Sequence, residues 1–536
     1  MMRSWTIIIL MLLSSFAAAL HTASADEGRL EQIQDLLLSK SFNDKSQAVS
    51  MLAESTHSQS TAILEALMEG ELYYRKSDRQ FLLTKKLDGD YLIYDVLTGE
   101  DLGSAQKRML KKIGTNNAIR KQIRAALASR ELNNPDADIR YQAASEMLGS
   151  TDAGLIPQLE KRLAVEDDRK VRQRIELLLA ISQLDADNKD DQLLAIETVS
   201  GSIEPVVRSK LATIQASDPD ADVRKAAKEA LNSISVRLQF FSFMETLFFG
   251  LSLGSVLVLA AIGLAITFGV MGVINMAHGE LIMLGAYTTY VIQQALPNMI
   301  GVSVLLAIPA AFIVAGLTGI VIERTVIRHL YGRPLETLLA TFGISLILQQ
   351  AVRSIFSPLN RSVITPDWMS GSLEINSVLS LTYNRLYIII FCLLVFVVLN
   401  LVLKKTSLGL QVRAVTQNRA MARAMGVRSA WVDAMTFGLG SGIAGVAGVA
   451  LSQLTNVGPN LGQSYIVDSF MVVVFGGVGN LAGTLVSGLS LGVINQYLEP
   501  WAGAVLAKIL ILIFIILFIQ KRPRGLFPQK GRSAEG

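Results

Sequence analysis

The chain has 536 residues, 51% of them hydrophobic, with 49 Lys and Arg against 45 Asp and Glu for a net charge of +4. So small a charge argues against a nucleic-acid partner, and a single cysteine, Cys392, inside an apolar run excludes a disulfide framework and a thiol zinc site. The averages conceal two unlike halves, a mixed-charge one up to about Arg237 and a strongly apolar one after it.

Residues 1–25 read as a secretory signal: Arg3, an apolar core from Trp5 to Phe16, then small residues ending in Ala23-Ser24-Ala25. Roughly twelve apolar residues are too few to span a bilayer, which favours cleavage and export of the segment 26–237. That segment reads as helical and weakly repetitive. Pro135-Asp136-Ala137-Asp138-Ile139-Arg140 recurs as Pro219-Asp220-Ala221-Asp222-Val223-Arg224, and Asp168 to Ile181 offers an uneven copy between them. The spacing is about twice the period of HEAT-type helix pairs, so the expectation is a short helical solenoid, with an irregular bundle as the alternative. Leu72 to Val96, rich in Tyr, Phe and Leu with Asp88-Gly89 as a turn, predicts a β-hairpin or small sheet packed on the helices. His57 stands alone and suggests no chemistry.

From Phe240 the hydrophobic length predicts spans near 244–270, 281–297, 300–322, 337–356, 385–403 and 431–455, a broken element at 467–480, and spans at 482–498 and 503–520. With the first half outside, the basic stretches at Arg324 to Arg333, at Lys404 and at Lys521-Arg522-Pro523-Arg524 all fall on the cytoplasmic side. The fold class is therefore mainly α: a transmembrane bundle of eight to ten spans in 238–527, after an exported HEAT-like helical domain with a β-hairpin insert, and before a cytoplasmic tail at 528–536. Glycines four apart, such as Gly250 with Gly254 and Gly438 with Gly442, predict close helix packing.

Two stretches exceed what packing needs. Phe268 to Asn275 and Phe475 to Asn480 are interrupted by glycine and end in asparagine, and paired broken segments of this kind point to a translocation path. The candidate path residues are Asn275, His278, Glu280, Gly476, Gly477, Gly479 and Asn480. Asn275 and Asn480 can each donate and accept, which suits an uncharged amide. Glu280 is either a functional intramembrane acid or a cap at the cytoplasmic rim, and Asp468 is weighed the same way, with the cap favoured. The loop from Ser357 to Asn384 reads as surface facing a partner outside. No Gly-Lys dipeptide occurs, so no GxxxxGK[ST] phosphate loop is present, and ATP hydrolysis would fall to another subunit.

The segment Lys404 to Trp431 carries six Lys and Arg and no acid. Within it Asn418 predicts a helix start, Arg419 to Met425 a short helix and Gly426 its stop, with Met421 and Met425 on one face and Arg419 and Arg423 on another. A soft apolar face held at the membrane edge suits docking into a groove on a cytoplasmic partner. Gly409, Arg413, Ala414, Asn418, Met421, Ala422 and Gly426 resemble the conserved cytoplasmic loop of ABC importer permeases of the branched-chain amino acid and urea group. Asn275 to Glu280 with Leu284 to Tyr287, and Phe475 to Gly483, resemble the same family, over roughly Phe240 to Phe527.

That resemblance implies an ATPase-coupling loop and helix with Gly409, Arg413, Asn418, Arg419, Met421, Ala422, Arg423 and Gly426 as its coupling residues. It also implies a second permease subunit, two ATPase subunits that use the ATP, a periplasmic solute-binding protein and a bacterial inner-membrane location. The exported domain ahead of the permease resembles the urea transporter permease, so the expected solute is urea or a short amide. The alternatives are a branched-chain amino acid permease, and a membrane-anchored sensor or assembly scaffold. The chain itself is expected to bind no cofactor and to catalyse no bond chemistry.

Overall fold

A computed structural model describes residues 32–55, 59–86, 91–96, 100–149, 156–186 and 188–527. The proposed signal segment, His57, the Asp88-Gly89 turn and the tail at 528–536 lie outside the described residues. The chain divides into two compact units, Met1–Arg237 and Leu238–Gly536.

The first unit opens with a helix at 32–38 (α1), α2 (Phe42–Glu54) and α3 (Gln59–Glu69). Then come five antiparallel strands, β1 (Leu72–Arg75), β2 (Phe81–Lys86), β3 (Tyr91–Asp95), β4 (Asp101–Ala105) and β5 (Leu110–Lys112), in the order β4-β3-β2-β1-β5. The sheet is larger than the expected hairpin because β4 and β5 are short and polar and give no apolar alternation to read. Leu72, Phe81 and Val96 bury against Ile33, Leu52, Ile63 and Ile123 of the flanking helices.

The unit continues through α4 (Asn117–Glu131), α5 (Ala137–Glu146), α6 (Ile156–Leu163), α7 (Arg169–Gln183), α8 (Lys189–Val199) and α9 (Pro205–Ser217). Here one helix-start motif occurs three times among the described residues. Asp136, Asp168 and Asp220 each accept an amide two residues on, at 2.9, 2.8 and 2.7 Å. Four residues after each Asp, Arg140, Arg172 and Arg224 reach back to the carbonyls of Asn134, Glu166 and Asp218 at 2.8, 2.5 and 2.7 Å. Side-chain oxygen satisfies the orphan amides of the first turn, and the guanidinium ties the preceding loop to the helix. Around the middle copy Glu166 is fully buried, with Arg140 at 2.7 Å and Arg162 at 2.8 Å. Burial pushes its carboxyl up, but hydrogen bonds from Arg140, Arg162 and the Asp168 amide prevail and hold it at about 2.

In the second unit the apolar helices are α10 (Ala221–Met271, begun in the first unit), α11 (His278–Ala295), α12 (Ile300–Thr325), α13 (Pro334–Phe356), α14 (Tyr383–Lys405), α17 (Ser429–Ser452), α18 (Leu461–Gly476), α19 (Leu481–Ala502) and α20 (Ala504–Lys521). Between α14 and α17 lie the polar helices α15 (Ser407–Gln417) and α16 (Arg419–Ala424). A small hairpin, β6 (Ser372–Glu374) and β7 (Ser380–Thr382), sits in the Ser357–Asn384 loop. Seven of the nine apolar helices are long and apolar enough to cross a membrane, fewer than the eight to ten expected. The exceptions are α11, whose first turn carries His278 and Glu280, and α18, which has 16 residues.

Glycine decides which helices sit inside. In α17, Gly440, Gly445 and Gly448 meet the backbones of Gly263 in α10, Ala311 in α12 and Ile282 in α11. In α10, Gly250 and Gly254 meet α19 at Val493 and Leu489. Lipid supplies no hydrophobic drive between helices, so contact at backbone distance, with its dispersion gain, does the packing. The apolar windows of α17 and α10 are accordingly 89% and 83% buried, while those of α14 and α20 are 17% buried and form the rim.

Candidate functional site

The first expected break is shorter than the sequence indicates. Helix α10 runs on through Gly269 to Met271, and the chain unwinds only from Gly272, at φ +68°, to Ala277. It then turns back into the bundle. The His278 Nε2–H donates to the Ala260 carbonyl at 2.8 Å, and Ala260 lies roughly 16 Å before the end of α10 at 1.5 Å per residue. Helix α11 therefore begins inside the bundle, level with a point about three turns before the end of α10. Its second residue, Gly279, packs on Gly462, the second residue of α18: a Cβ on Gly279 would lie 2.5 Å from the Gly462 carbonyl oxygen. Two helix N-termini, each the partly positive end of its helix dipole, converge there.

The side chains at this junction point to different neighbours. Asn275 accepts the Ala277 amide at 3.0 Å, and Thr341 of α13 braces the unwound segment by accepting the Met276 amide at 3.1 Å. Glu280 is buried, with Oε1 taking hydrogen bonds from Gln349 at 2.7 Å and Ser345 at 3.0 Å, both on α13. It is neither a cap nor at the rim; the cap position is Ala277, which makes no side-chain bond. Asn275 Nδ2, His278 Nδ1 and Glu280 Oε2 are buried without a hydrogen-bond partner among the described residues. Thr337, Thr341, Ser345 and Gln349 are all buried, at a spacing of four along α13. That polar stripe is legible in the sequence as one helical face, a signal that apolar length alone does not carry.

The second break is a tight turn. Helix α18 is continuous through Gly476, not broken over 467–480, and the turn follows at Gly477 and Gly479, with φ +105° and +79°. The segment after α20 lies against it: Phe527 donates its amide to Gly476 at 3.1 Å, and a Cβ on Gly477 would lie 2.7 Å from the Phe527 carbonyl oxygen. Asn480 caps α19 through the Gly483 amide at 3.1 Å and donates to the Phe527 carbonyl at 3.2 Å. Gly479 is in backbone contact with Gly269, so the end of α10 seats on this turn. The second turn thus lies against the same end of α10 from which the first unwound segment departs. Asp468 is no cap either, since it lies in mid-α18 and pairs with Lys508 of α20 at 2.9 Å.

The basic segment forms as expected, with the roles of its residues now separated. Asn418 caps α16 by accepting the Met421 amide at 2.9 Å, and Gly426 at φ +89° ends it. Gly409 packs against the Leu403 backbone and Arg413 bonds the Leu403 carbonyl, folding α15 back on α14. Ala422 is buried against Val412, Val415 and Val432. The arginines also bond to the body, although Arg423 itself stays exposed. Arg419 bonds Asp433 of α17 and stacks 4.0 Å from the Tyr331 ring centroid, and Arg423 donates to Ser429 at 2.7 Å. Met421 and Met425 are left bare, 61% and 79% exposed. A short helix is clamped to the body by its cations and offers two methionines outward.

This arrangement, a close-packed bundle with a re-entrant α11 and a clamped external helix, has relatives. Residues 246–519 match the family model described as the branched-chain amino acid transport system / permease component. The chain belongs to that family. The permease protein LivH of the high-affinity branched-chain amino acid transport system of Salmonella typhimurium is 32% identical over 300 residues, 54% of this chain and 96% of LivH. BraD, the corresponding protein of Pseudomonas aeruginosa, is 30% identical over 297 residues, with the same coverage. The ribose import permease RbsC of Bacillus subtilis is 32% identical over 136 residues, 23% of this chain and 42% of RbsC. No solved structure matches. Membership makes the second unit a multi-pass membrane permease domain, and the family match begins beyond the first unit.

Proposed function

We propose that the chain is the membrane permease subunit of an ATP-driven importer, in which the second unit forms the translocation path and separate ATPase subunits drive it. The observation that carries this is α16. Its arginines are each bonded to the body of the permease, and the apolar surface it offers a cytoplasmic partner is Met421 and Met425, beside the exposed Arg423. A flexible, polarisable apolar patch on a rigidly held helix suits seating in a groove, and movement there can bias the helices it is clamped to. On this reading the three basic stretches are cytoplasmic, the first unit is a periplasmic HEAT-like domain, and a second permease subunit and a solute-binding protein complete the assembly.

For the solute, branched-chain amino acids come first, because LivH and BraD carry that name at 30% identity or more over almost their whole length. A second reading, urea or a short amide, is favoured by the first unit: LivH and BraD are aligned almost entirely within 54% of this chain, which leaves the first unit without a counterpart in either. The test is uptake of labelled leucine and labelled urea at micromolar concentration in cells with and without the gene. Loss of leucine uptake alone supports the first solute and loss of urea uptake alone the second. Loss of neither overturns the importer reading and favours a sensor or scaffold.

A further inference from the structure

We propose that the cleft between α10, α18, α19 and α20 binds the transported solute, gripping a small molecule that carries N–H donors at one end and a carboxyl or carbonyl oxygen beside them. The proposal rests on the permease reading above. The cleft encloses about 230 Å³. Leu253, Leu257 and Met471 make part of its apolar wall, and Asp468, Lys508 and Asn495 carry polar groups, with Glu499, Ser464 and Tyr465 also on the lining.

Each polar group is unexpected where it stands. Asp468 is the single charge on α18, and Lys508 is the single charge on α20 before its end at Lys521. The Lys508 ammonium lies 2.9 Å from Asp468, and its side chain is 49% exposed, on a helix whose other exposed residues are Val505, Leu512 and their like. A lysine one turn into a span that merely relieved its own burial would extend alone toward the interface. This one is held against a carboxylate, and an open ion pair on an apolar helix is strongly disfavoured against lipid. The face therefore meets water or protein, as the wall of a path does. Asn495 supplies the independent observation, since its Oδ1 is buried and has no hydrogen-bond partner among the described residues.

Together these groups make a recognition set. An ammonium has three N–H donors, and Asp468 accepts one, which leaves donors for a solute oxygen. The Asn495 oxygen and the remaining capacity of Asp468 accept N–H from the same solute. An α-amino acid meets both demands with opposite charges and lays its side chain on Leu253 and Leu257. Urea meets them with a neutral carbonyl and its amide hydrogens. Neither solute disturbs the balance of charge in the cleft.

The experiment is concentration-dependent uptake by the complete importer, with Lys508→Gln, Lys508→Met, Asp468→Asn and the double variant Asp468→Asn/Lys508→Met. The double variant leaves no unpaired charge and is used where a single variant fails to assemble, as read by co-purification of the complex. If leucine is the solute, Lys508→Gln removes the partner of the carboxylate and raises the half-saturating concentration at least tenfold. If urea is the solute, Gln keeps a donor and the shift stays below threefold, while Lys508→Met raises it at least fivefold. Assembled Lys508→Met and Asp468→Asn complexes that stay within twofold of wild type overturn the site and leave the importer reading standing. A wild-type complex that moves neither solute overturns the reading and the site together.

Discussion

Replacing Met421 and Met425 together with alanine tests whether α16 is the coupling surface. Met to Ala removes three heavy-atom groups, worth about 2.4 kcal/mol at ~0.8 kcal/mol per group when fully buried on docking. Scaled by the present exposures of 61% and 79%, the two losses are about 1.5 and about 1.9 kcal/mol. Ordering two methionines at an interface costs roughly 1 kcal/mol, which alanine is spared, so the net loss is about 2.5 kcal/mol, near 60-fold in affinity. Neither side chain is buried in the permease, so its thermal stability should not change. The assay is binding of the purified, detergent-solubilised permease to its ATPase subunits, with Met421→Leu/Met425→Leu as the control that keeps apolar volume. An alanine variant that binds within threefold of wild type, with the helix intact, would refute docking through this face.

Arg419→Gln tests the clamp. It should lower thermal stability and ATP-coupled uptake because Asp433 is left buried without its guanidinium, and Asp433→Asn in the same chain should recover much of the stability; additive losses in that double-mutant cycle would argue against a direct pair. Gly285→Val places a side chain where even a Cβ would lie 2.5 Å from the Gly445 Cα, so α11 and α17 must part; a melting temperature within 1 °C of wild type, by roughly the scale of one small core change, would refute that contact. For the first unit, Glu166 has a folded-state value depressed from 4.5 to about 2, so it contributes stability above pH 4.5 that is lost as pH falls through that window. Glu166→Gln should remove that part of the acid sensitivity and cost about 3 kcal/mol at pH 7 by leaving Arg140 and Arg162 unneutralised; chemical denaturation of the first unit at pH 7 and pH 3 reads both.

Hydrophobic length, glycine spacing and basic loops placed most of the apolar helices within a few residues, because a bilayer imposes length and charge rules that act locally along the chain; the exceptions are α10, which begins at Ala221 and not near 244, and α18, which runs unbroken from Leu461 to Gly476. The cap at Asn418, the stop at Gly426 and the three Asp-to-Arg helix starts were legible for the same reason, since each is settled within about seven residues. Partners across helices were not. Nothing local tells that Arg419 turns to Asp433, that Glu280 sits between Ser345 and Gln349, or that Asp468 finds Lys508 some forty residues on.

The sequence by itself determined the kind of molecule: a membrane-spanning helical permease domain behind a separate helical unit, with a short basic helix outside the bundle. The tertiary structure alone decided which polar groups are used up and which are left to act. The same arginine is a docking charge or a clamp, and the same glycine break a cavity lining or a packed turn, according to what stands opposite. What stands opposite is fixed by how closely helix backbones approach, and that depends on pairs of residues that are far apart in the chain.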